Sequence, residues 1–288
     1  MNQRILYNLL VILTISVWGV TFVSTKILLF HGMTPLWIFI IRFAIAYLCT
    51  LMLCHGKLWA DSAKDELCLI ASGLTGGSLY FIAENSALKL TFASNVSLII
   101  CATPVLTLFL CSIFYKQRIR FRELAGSFIA ICGVSIVILN GSLNFGINPA
   151  GDILVLIAAL CWAVYCLLLK HLNIRYSNLF ITRKVFFYGF VSSLLWSVFE
   201  PLPQPDSGAI ASIVFNLLFL SIVASFLCFI IWNKAVQVLG PEKTANYIYF
   251  TPVITIISSS LILGEPVTLW LLAGGCIIIA GVYLTTKN

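Results

Sequence analysis

Long apolar runs separated by short polar connections make up most of this sequence. A helix needs about 20 apolar residues to cross about 30 Å of hydrocarbon. Ten runs meet that length, at approximately residues 5–30, 35–54, 67–89, 92–114, 121–140, 151–171, 177–199, 209–233, 244–264 and 266–285. The pattern therefore predicts an all-α membrane protein with ten transmembrane helices.

The second half of the chain repeats the first. At an offset of 148, 18 of 59 positions are identical between residues 79–137 and 227–285. An offset of 144 aligns the first span with the sixth. The matches include polar and turn residues, namely Asn85 with Asn233, Thr103-Pro104-Val105 with Thr251-Pro252-Val253, Trp18 with Trp162, and Lys26 with Lys170. Apolar composition alone does not align Asn, Pro and Gly.

Each repeat holds five spans, so the second copy must enter the membrane upside down. The expected repeats are residues 5–140 and 151–285, joined by a polar linker from Asn140 to Gly151. An inverted repeat of this kind is typical of secondary transporters, whose site lies between the repeats.

Composition and charge agree with a membrane location. The chain is 61% hydrophobic and 9% charged, whereas soluble domains carry about 25% charged residues. The net charge of +7 does not indicate a nucleic-acid partner, because the basic residues lie in short loops on one side of the spans. That asymmetry predicts a multi-pass protein of the cytoplasmic (inner) membrane with both termini in the cytoplasm.

No sequence pattern indicates catalysis or a cofactor. The ten cysteines form no CxxC pair and are predicted to be apolar packing groups. The chain contains no phosphate-binding loop, no clustered metal ligands and no Ser/His/Asp arrangement. We therefore expect no catalytic residues, no metal and no cofactor.

Among the charged residues within predicted spans, Arg42 and Glu84 stand out because they lie well away from the span ends. A charge there costs about 2.5–3.5 kcal/mol on insertion scales and usually faces a cavity or a partner. Both lie roughly 8–11 Å below the same membrane boundary, so we expect them to be partners. They form either a buried structural salt bridge or the wall of a cavity for a zwitterionic or charged substrate. Glu84 is also the candidate for proton coupling.

Other polar and aromatic residues extend this candidate cavity. Its predicted lining comprises Trp18, Arg42, Tyr80, Glu84, Asn85, Trp162, Trp232 and Asn233. The alternatives are hydrogen bonds between helices for the Asn pair and plain packing for the Trp residues. Lys26 and Lys170 are expected to snorkel toward opposite interfaces.

Two further sets recur in both halves. Pro104 and Pro252 lie mid-span, where each bends its helix as a static kink or as a gate. Glycines spaced seven residues apart predict a face for close helix packing; these are Gly126, Gly133, Gly274 and Gly281.

Taken together, these residues resemble the drug/metabolite transporter superfamily, in its ten-span form built from two EamA repeats. The resemblance covers essentially the whole chain. It is carried by Trp18-Gly19, Lys26, Arg42-Phe43, Pro104-Val105, Thr251-Pro252-Val253, Leu263-Gly264-Glu265-Pro266-Val267-Thr268, and Leu272-Ala273-Gly274 through Gly281-Val282. One departure is that Lys116-Gln117 stands where the first repeat usually has a Gly-Glu turn.

The resemblance implies a carrier that works by alternating access, with a central cavity between the repeats. Such a carrier has the lipid bilayer and a small-molecule substrate as partners, and members commonly export amino acids or other small metabolites. A multidrug or cationic-compound exporter that uses Glu84 to bind its substrate is the alternative. An intramembrane enzyme acting on lipid-borne substrates is disfavoured, because it would need clustered acids or a nucleophile with a base.

Overall fold

The computed structural model describes residues 3–54, 56–116, 118–139 and 149–286. Within them the chain is helical and contains no strand. Ten helical segments follow one another: α1 Gln3–Phe30, α2 Pro35–Leu53, α3 Ala63–Leu90, α4 Ala93–Tyr115, α5 Phe121–Leu139, α6 Pro149–Leu172, α7 Asn178–Ser197, α8 Ser207–Leu239, α9 Pro241–Leu263 and α10 Leu269–Thr286. Most of the predicted linker, residues 140–148, lies outside the described residues, as do His55, Gln117 and Lys287.

The helices have the length and surface that a bilayer requires. In the described part of the chain, eight helices are long and apolar enough to cross a membrane, and Leu269–Gly281 within α10 is a shorter apolar one. Large apolar side chains cover the outside, for example Phe121, Leu261 and Leu269, each more than 80% exposed. Lipid is the solvent that such a surface fits. The count of ten spans stays a prediction.

Contacts between the connections show how the two halves are oriented. The connection between α6 and α7 meets the one between α2 and α3, where the Asp61 amide donates to Tyr176 Oη at 2.9 Å. The connection between α1 and α2 instead meets the one between α7 and α8, through the Asp206 amide and the His31 carbonyl at 3.1 Å. The α1–α2 and α6–α7 connections, which correspond in the two repeats, thus lie at opposite ends of the bundle, as an inverted repeat requires.

Helix packing has the same twofold pattern. The contact of α1 with α9 has its counterpart in that of α6 with α4, and α2 with α8 corresponds to α7 with α3. Each helix and its counterpart differ by five in number, as α1 and α6 do, which is what the exchange of two five-helix repeats requires.

The predicted glycine face joins α5 to α10. A Cβ added at Gly133 would lie 2.8 Å from the Gly274 carbonyl oxygen, and one at Gly281 would lie 2.6 Å from the Gly126 carbonyl oxygen. Only residues without a side chain allow the two backbones to come this close, so the packing prediction is confirmed.

Four helices are interrupted at repeat-related positions. The residues ahead of each proline form a 3₁₀ turn, Ile100–Ala102 in α4 and Asn246–Phe250 in α9. Pro104 and Pro252 then lie in the first turn of a new helical stretch, where a missing N–H is tolerated. Helices α3 and α8 each contain a π-helical stretch, Leu74–Ser78 and Phe219–Leu227. The proline pattern predicts the first pair, whereas the π stretches have no sequence signal that we recognised.

The turn after α4, where Lys116 takes the place of the expected glycine, has the same backbone geometry as the turn after α9. Lys116 has a φ of 52°, and the equivalent Gly264 after α9 has a φ of 68°. Both helices therefore end in a left-handed residue. Glycine adopts that conformation freely, while lysine does so at an energetic cost.

Candidate functional site

A small cavity lies at the centre of the bundle, between the two halves. Its volume is about 40 Å³. It is lined by Trp18, Thr21, Phe22, Arg42, Tyr80, Phe81, Glu84, Ile100, Thr103, Trp162, Ile248 and Thr251. The lining comes from α1 to α4 of the first repeat and from α6 and α9 of the second. Five of the eight residues predicted for the cavity are in this set.

Arg42 supplies the positive charge of the cavity. It extends from α2 and is 2% exposed. Its Nε donates to Ser225 Oγ at 2.5 Å, and its guanidinium lies 4.2 Å from the centre of the Phe81 ring. Ser225 belongs to the π-helical stretch of α8, so the irregular backbone there positions the hydroxyl that holds the arginine.

Glu84 supplies the negative charge, one turn along α3 from Tyr80. It is 3% exposed and lines the cavity together with Arg42. The two do not form the direct salt bridge that their equal depths suggested. Ion pairs within 4.0 Å among the described residues include Lys26–Glu265 and Lys184–Glu66, but not Arg42–Glu84. Arg42 is held by Ser225 and Phe81 instead, and both charged residues line the cavity.

Two tryptophans, Trp18 and Trp162, line one side of the cavity, and Trp232 packs against Trp18 behind them. The Trp18 ring lies 5.2 Å from Trp162 and 5.0 Å from Trp232, measured between ring centres. Trp18 and Trp162 are related by the repeat, so the pair straddles the interface of the two halves. Trp18 Nε1 donates to the Ala224 carbonyl at 2.8 Å, which fixes its orientation.

Two buried polar groups at the cavity have no hydrogen-bond partner. They are Trp162 Nε1 and Thr103 Oγ1, on residues that are 4% and 0% exposed. A buried polar group without a partner costs about 1–3 kcal/mol. Both groups line the cavity, so a bound polar molecule would offset this cost.

Three predicted residues, Asn85, Trp232 and Asn233, lie outside the cavity lining. Asn233 accepts a hydrogen bond from Tyr165 Oη at 2.6 Å and donates to Thr182 Oγ1 at 2.9 Å. Asn85 donates to the Pro35 carbonyl at 3.1 Å. The asparagine pair therefore connects helices, which was the alternative interpretation. Trp232 is fully buried behind Trp18.

Thr21, Phe81 and Ile248 also line the cavity, although they were not predicted to do so. The available signal was helical spacing. Thr21 lies three residues after Trp18, and Phe81 lies three residues before Glu84. Each therefore shares a helix face with a residue that was predicted to line the cavity. Ile248 lies in the 3₁₀ turn of α9, where regular helical spacing does not apply.

The two lysines shared by the repeats form ion pairs with carboxylates at the two ends of the bundle. Lys26 Nζ lies 3.3 Å from Glu265 Oε1 and donates to the Thr91 carbonyl at 2.7 Å. Lys170 Nζ lies 3.6 Å from Glu242 Oε1 at the opposite end of the bundle. Each pair connects α1 or its repeat-equivalent α6 to the end of another helix, which closes the bundle at that face.

Glu265 has the more extensive set of contacts. Its carboxylate accepts hydrogen bonds from the Ala93 amide at 2.9 Å and from the Ser94 hydroxyl at 2.9 Å. Burial acts to raise the pKa of this carboxyl. The hydrogen bonds from Ala93 and Ser94 and the charge of Lys26 outweigh burial, so the pKa lies below its usual value.

Comparison with known proteins agrees with this architecture. The EamA-like transporter family matches the chain twice, over residues 5–139 and 149–287. A solved crystal structure with 20% sequence identity superposes with a TM-score of 0.68, covering 98% of this chain and 95% of the other, and supports the fold alone.

Curated relatives match over most of their length. An uncharacterized transporter of Archaeoglobus fulgidus is 28% identical, over 98% of this chain and 97% of the relative. A probable amino-acid metabolite efflux pump of Salmonella typhimurium is 28% identical over 96% and 93%. A probable terminal-alkyne amino-acid exporter of Streptantibioticus cattleyicolor is 28% identical over 78% and 75%. The chain is thus a multi-pass membrane transporter of two repeats, and not an enzyme.

Proposed function

The chain belongs to the EamA-like transporter family, and on that premise we propose that it exports amino acids or related small metabolites across the cytoplasmic membrane. The observation that carries the proposal is the central cavity, which holds Arg42 and Glu84 without pairing them to each other. The names of the Salmonella and Streptantibioticus relatives point to the same substrate class.

An amino acid matches the groups that line the cavity. Its carboxylate fits the guanidinium of Arg42, because arginine pairs with carboxylates through two parallel hydrogen bonds. Its ammonium group fits the carboxylate of Glu84. Trp162 Nε1 offers one further donor, and the aromatic rings accept an apolar side chain. The substrate then supplies partners for charges that are costly inside a membrane.

The described conformation is closed around this site. A cavity of about 40 Å³ holds about one water molecule and must enlarge to admit a metabolite. The Lys26–Glu265 and Lys170–Glu242 pairs hold the two ends of the bundle. In the proposed cycle one pair separates at a time, so the cavity opens to one face while the other stays closed.

The broken helices are the proposed gates. Thr103, directly after the 3₁₀ turn of α4, and Ile248, within the 3₁₀ turn of α9, line the cavity. A short 3₁₀ stretch within a helix often marks a hinge. Bending at Pro104 and Pro252 would move these lining residues without unfolding the outer parts of each helix. Ten spans and cytoplasmic termini complete the proposed topology.

Transport in liposomes tests the proposal. The purified protein is reconstituted, and the flux of labelled amino acids is measured with and without a pH gradient. We expect Arg42→Lys, which keeps the charge but not the paired hydrogen bonds, to lower transport per folded molecule by at least tenfold. Glu200→Gln, in the loop between α7 and α8, is the control and should leave transport unchanged. Unchanged transport in the Arg42 variant would rule out this cavity as the amino-acid site.

Glu84→Gln tests proton coupling separately. If Glu84 takes up the coupling proton, the variant loses the response of flux to the pH gradient while substrate exchange continues. A pH response equal to that of the wild type removes Glu84 from this role.

Labelled quaternary ammonium compounds test the alternative substrate class, because an exporter of cations would transport them in preference to amino acids. The fixed positive charge of Arg42 in the same cavity argues against that alternative.

A further inference from the structure

A second, much larger cavity lies away from the central site. Its volume is about 1110 Å³. It runs between α4, α5, α9 and α10, at the end of the bundle that carries the loop from Arg118 to Arg122. Its inner end reaches Pro104, eleven residues before Tyr115 at the end of α4. At 1.5 Å per residue this is a depth of about 16 Å, about half of the hydrocarbon core and hence about one lipid leaflet.

The mouth of the cavity is basic. Arg118, Arg120 and Arg122 contribute to it, together with Lys243 from the first turn of α9. Two carboxylates also line it. One, Glu123, accepts from the Arg120 amide at 2.7 Å, and the other belongs to Glu242, which is paired with Lys170 at 3.6 Å.

Positive charge at the mouth is therefore in excess. Cations outnumber carboxylates among the lining residues by four to two. Glu242 forms an ion pair with Lys170. Among the described residues, neither Glu123 nor Glu242 lies within 4.0 Å of a charged nitrogen of Arg118, Arg122 or Lys243. A topology signal requires only that basic residues lie on one side of the membrane. Here basic residues from two separate segments converge on one cavity.

Apolar and aromatic side chains line much of the interior. Leu108, Tyr249, Phe250 and Ile279 line the deeper part. A water-soluble anion would leave these walls uncovered. An amphiphile with a phosphate at one end and an acyl chain at the other matches both parts.

We propose that this cavity binds an anionic phospholipid of the leaflet on that side, with its phosphate between Arg118, Arg122 and Lys243 and an acyl chain reaching toward Pro104. Arginine holds phosphate through two parallel hydrogen bonds, and basic pockets between membrane helices are known to bind such headgroups. The inference rests on the membrane location of the chain and does not depend on which metabolite it transports.

The bound lipid would support the broken helices. Pro104, Tyr249 and Phe250 face this cavity, while Thr103, Ile248 and Thr251 face the central one. The same two helical segments thus form the partition between the two cavities. A lipid on one side would fix the position of residues that line the transport site on the other.

The binding test uses the full-length protein in detergent, with cardiolipin as the anionic probe and phosphatidylcholine as the neutral one. Bound lipid is counted by native mass spectrometry, and thermal stability is measured in parallel. We expect cardiolipin, and not phosphatidylcholine, to bind and to raise the Tm of the wild type. The triple variant Arg118→Gln, Arg122→Gln, Lys243→Gln should bind cardiolipin about 100-fold more weakly.

A control variant removes three other basic residues, Lys57→Gln, Lys64→Gln and Lys234→Gln, none of which lines the cavity. It changes the net charge equally and should keep wild-type cardiolipin affinity. Equal weakening in both triple variants would mean that only overall charge matters, and would overturn the proposal.

Leu108→Trp provides a variant without any change in charge or topology. The larger ring would occupy the space beside position 108, where the acyl chain is placed, so we expect cardiolipin binding to weaken at least tenfold. Unchanged binding would contradict the placement of an acyl chain along this wall. A soluble arm uses glycerol phosphate. If it raises the Tm as much as cardiolipin does, the site takes a water-soluble phosphate compound and the lipid assignment is wrong.

Discussion

Replacing Glu265 by Gln tests whether the buried lysine–carboxylate pair holds α1 against α4 and the α9–α10 turn. The side chains of Lys26 and Glu265 are 11% and 6% exposed. Removing the charge of one partner leaves Lys26 buried without a counterion, which typically costs about 3–5 kcal/mol. The Gln oxygen still accepts from the Ala93 amide, so the loss is mainly that of charge compensation.

The pair at the other end of the bundle is the matched control. Lys170 and Glu242 are 27% and 25% exposed and lie 3.6 Å apart. Solvent screens such a pair, so Glu242→Gln should cost about 1 kcal/mol or less. The substitution is chemically identical and affects the lysine that is equivalent by the repeat.

Thermal unfolding in detergent distinguishes the two variants. Using about 2–4 °C per kcal/mol for a chain of this size, we expect Glu265→Gln to lower the Tm by roughly 10 °C and Glu242→Gln by a few degrees. Equal shifts, or a larger shift for Glu242→Gln, would refute the reasoning from burial.

The same pair predicts a pH dependence. The folded-state pKa of Glu265 is lowered, so its stabilising contribution is fully present above the unfolded value of about 4.3. That contribution is lost as the pH falls through the folded pKa. The Tm of the wild type should therefore approach that of Glu265→Gln at acidic pH. A constant difference between pH 7 and pH 3 would contradict this assignment.

Three further predictions concern single positions. Lys116→Gly should raise stability by about 1 kcal/mol, measured by thermal unfolding, because lysine there occupies a left-handed conformation that glycine adopts freely. Gly281→Ala should cost about 1–3 kcal/mol, since the new Cβ would lie 2.6 Å from the Gly126 carbonyl oxygen; Gly275→Ala, whose Cβ has nothing within 4 Å, should be neutral in the same assay. Trp162→Phe should cost about 1–3 kcal/mol of stability, because the smaller ring loses packing within a buried aromatic cluster, and should also weaken the apparent affinity for substrate in the flux assay.

Much of the fold could be predicted because a membrane restricts the choice of structure. Apolar runs of about 20 residues must be helices, since no water satisfies the backbone there. Prolines also predicted where α4 and α9 break, at Pro104 and Pro252. The π-helical stretches of α3 and α8 could not be predicted in this way. They depend on packing against other helices, and Gly76, for example, lies against the ring of Tyr165.

The candidate site was harder to predict because depth in the membrane does not determine partners. Arg42 and Glu84 have equal depth and opposite charge, yet the arginine is held by Ser225 and Phe81. Asn85 and Asn233 are equivalent by the repeat, but each finds a hydrogen-bond partner on a neighbouring helix. Sequence identifies which polar residues enter the membrane. Helix packing then determines which of these residues are hydrogen-bonded to neighbouring helices and which line a cavity.

The alignment of the two repeats explains why Lys26 and Lys170, which are equivalent, pair with carboxylates at different positions in the chain. At the offset of 148, Glu265 corresponds to Gln117 and Ser94 corresponds to Glu242. At one end the carboxylate lies in the turn after α9, and Ser94 at the start of α4 donates to it. At the other end the carboxylate lies at the start of α9, and Lys170 pairs with it there. The first repeat can therefore lack the Gly-Glu turn, because Glu242 at the start of α9 supplies the carboxylate for Lys170 in its place. The resulting pair is more exposed than Lys26 and Glu265, so separating it should cost less free energy.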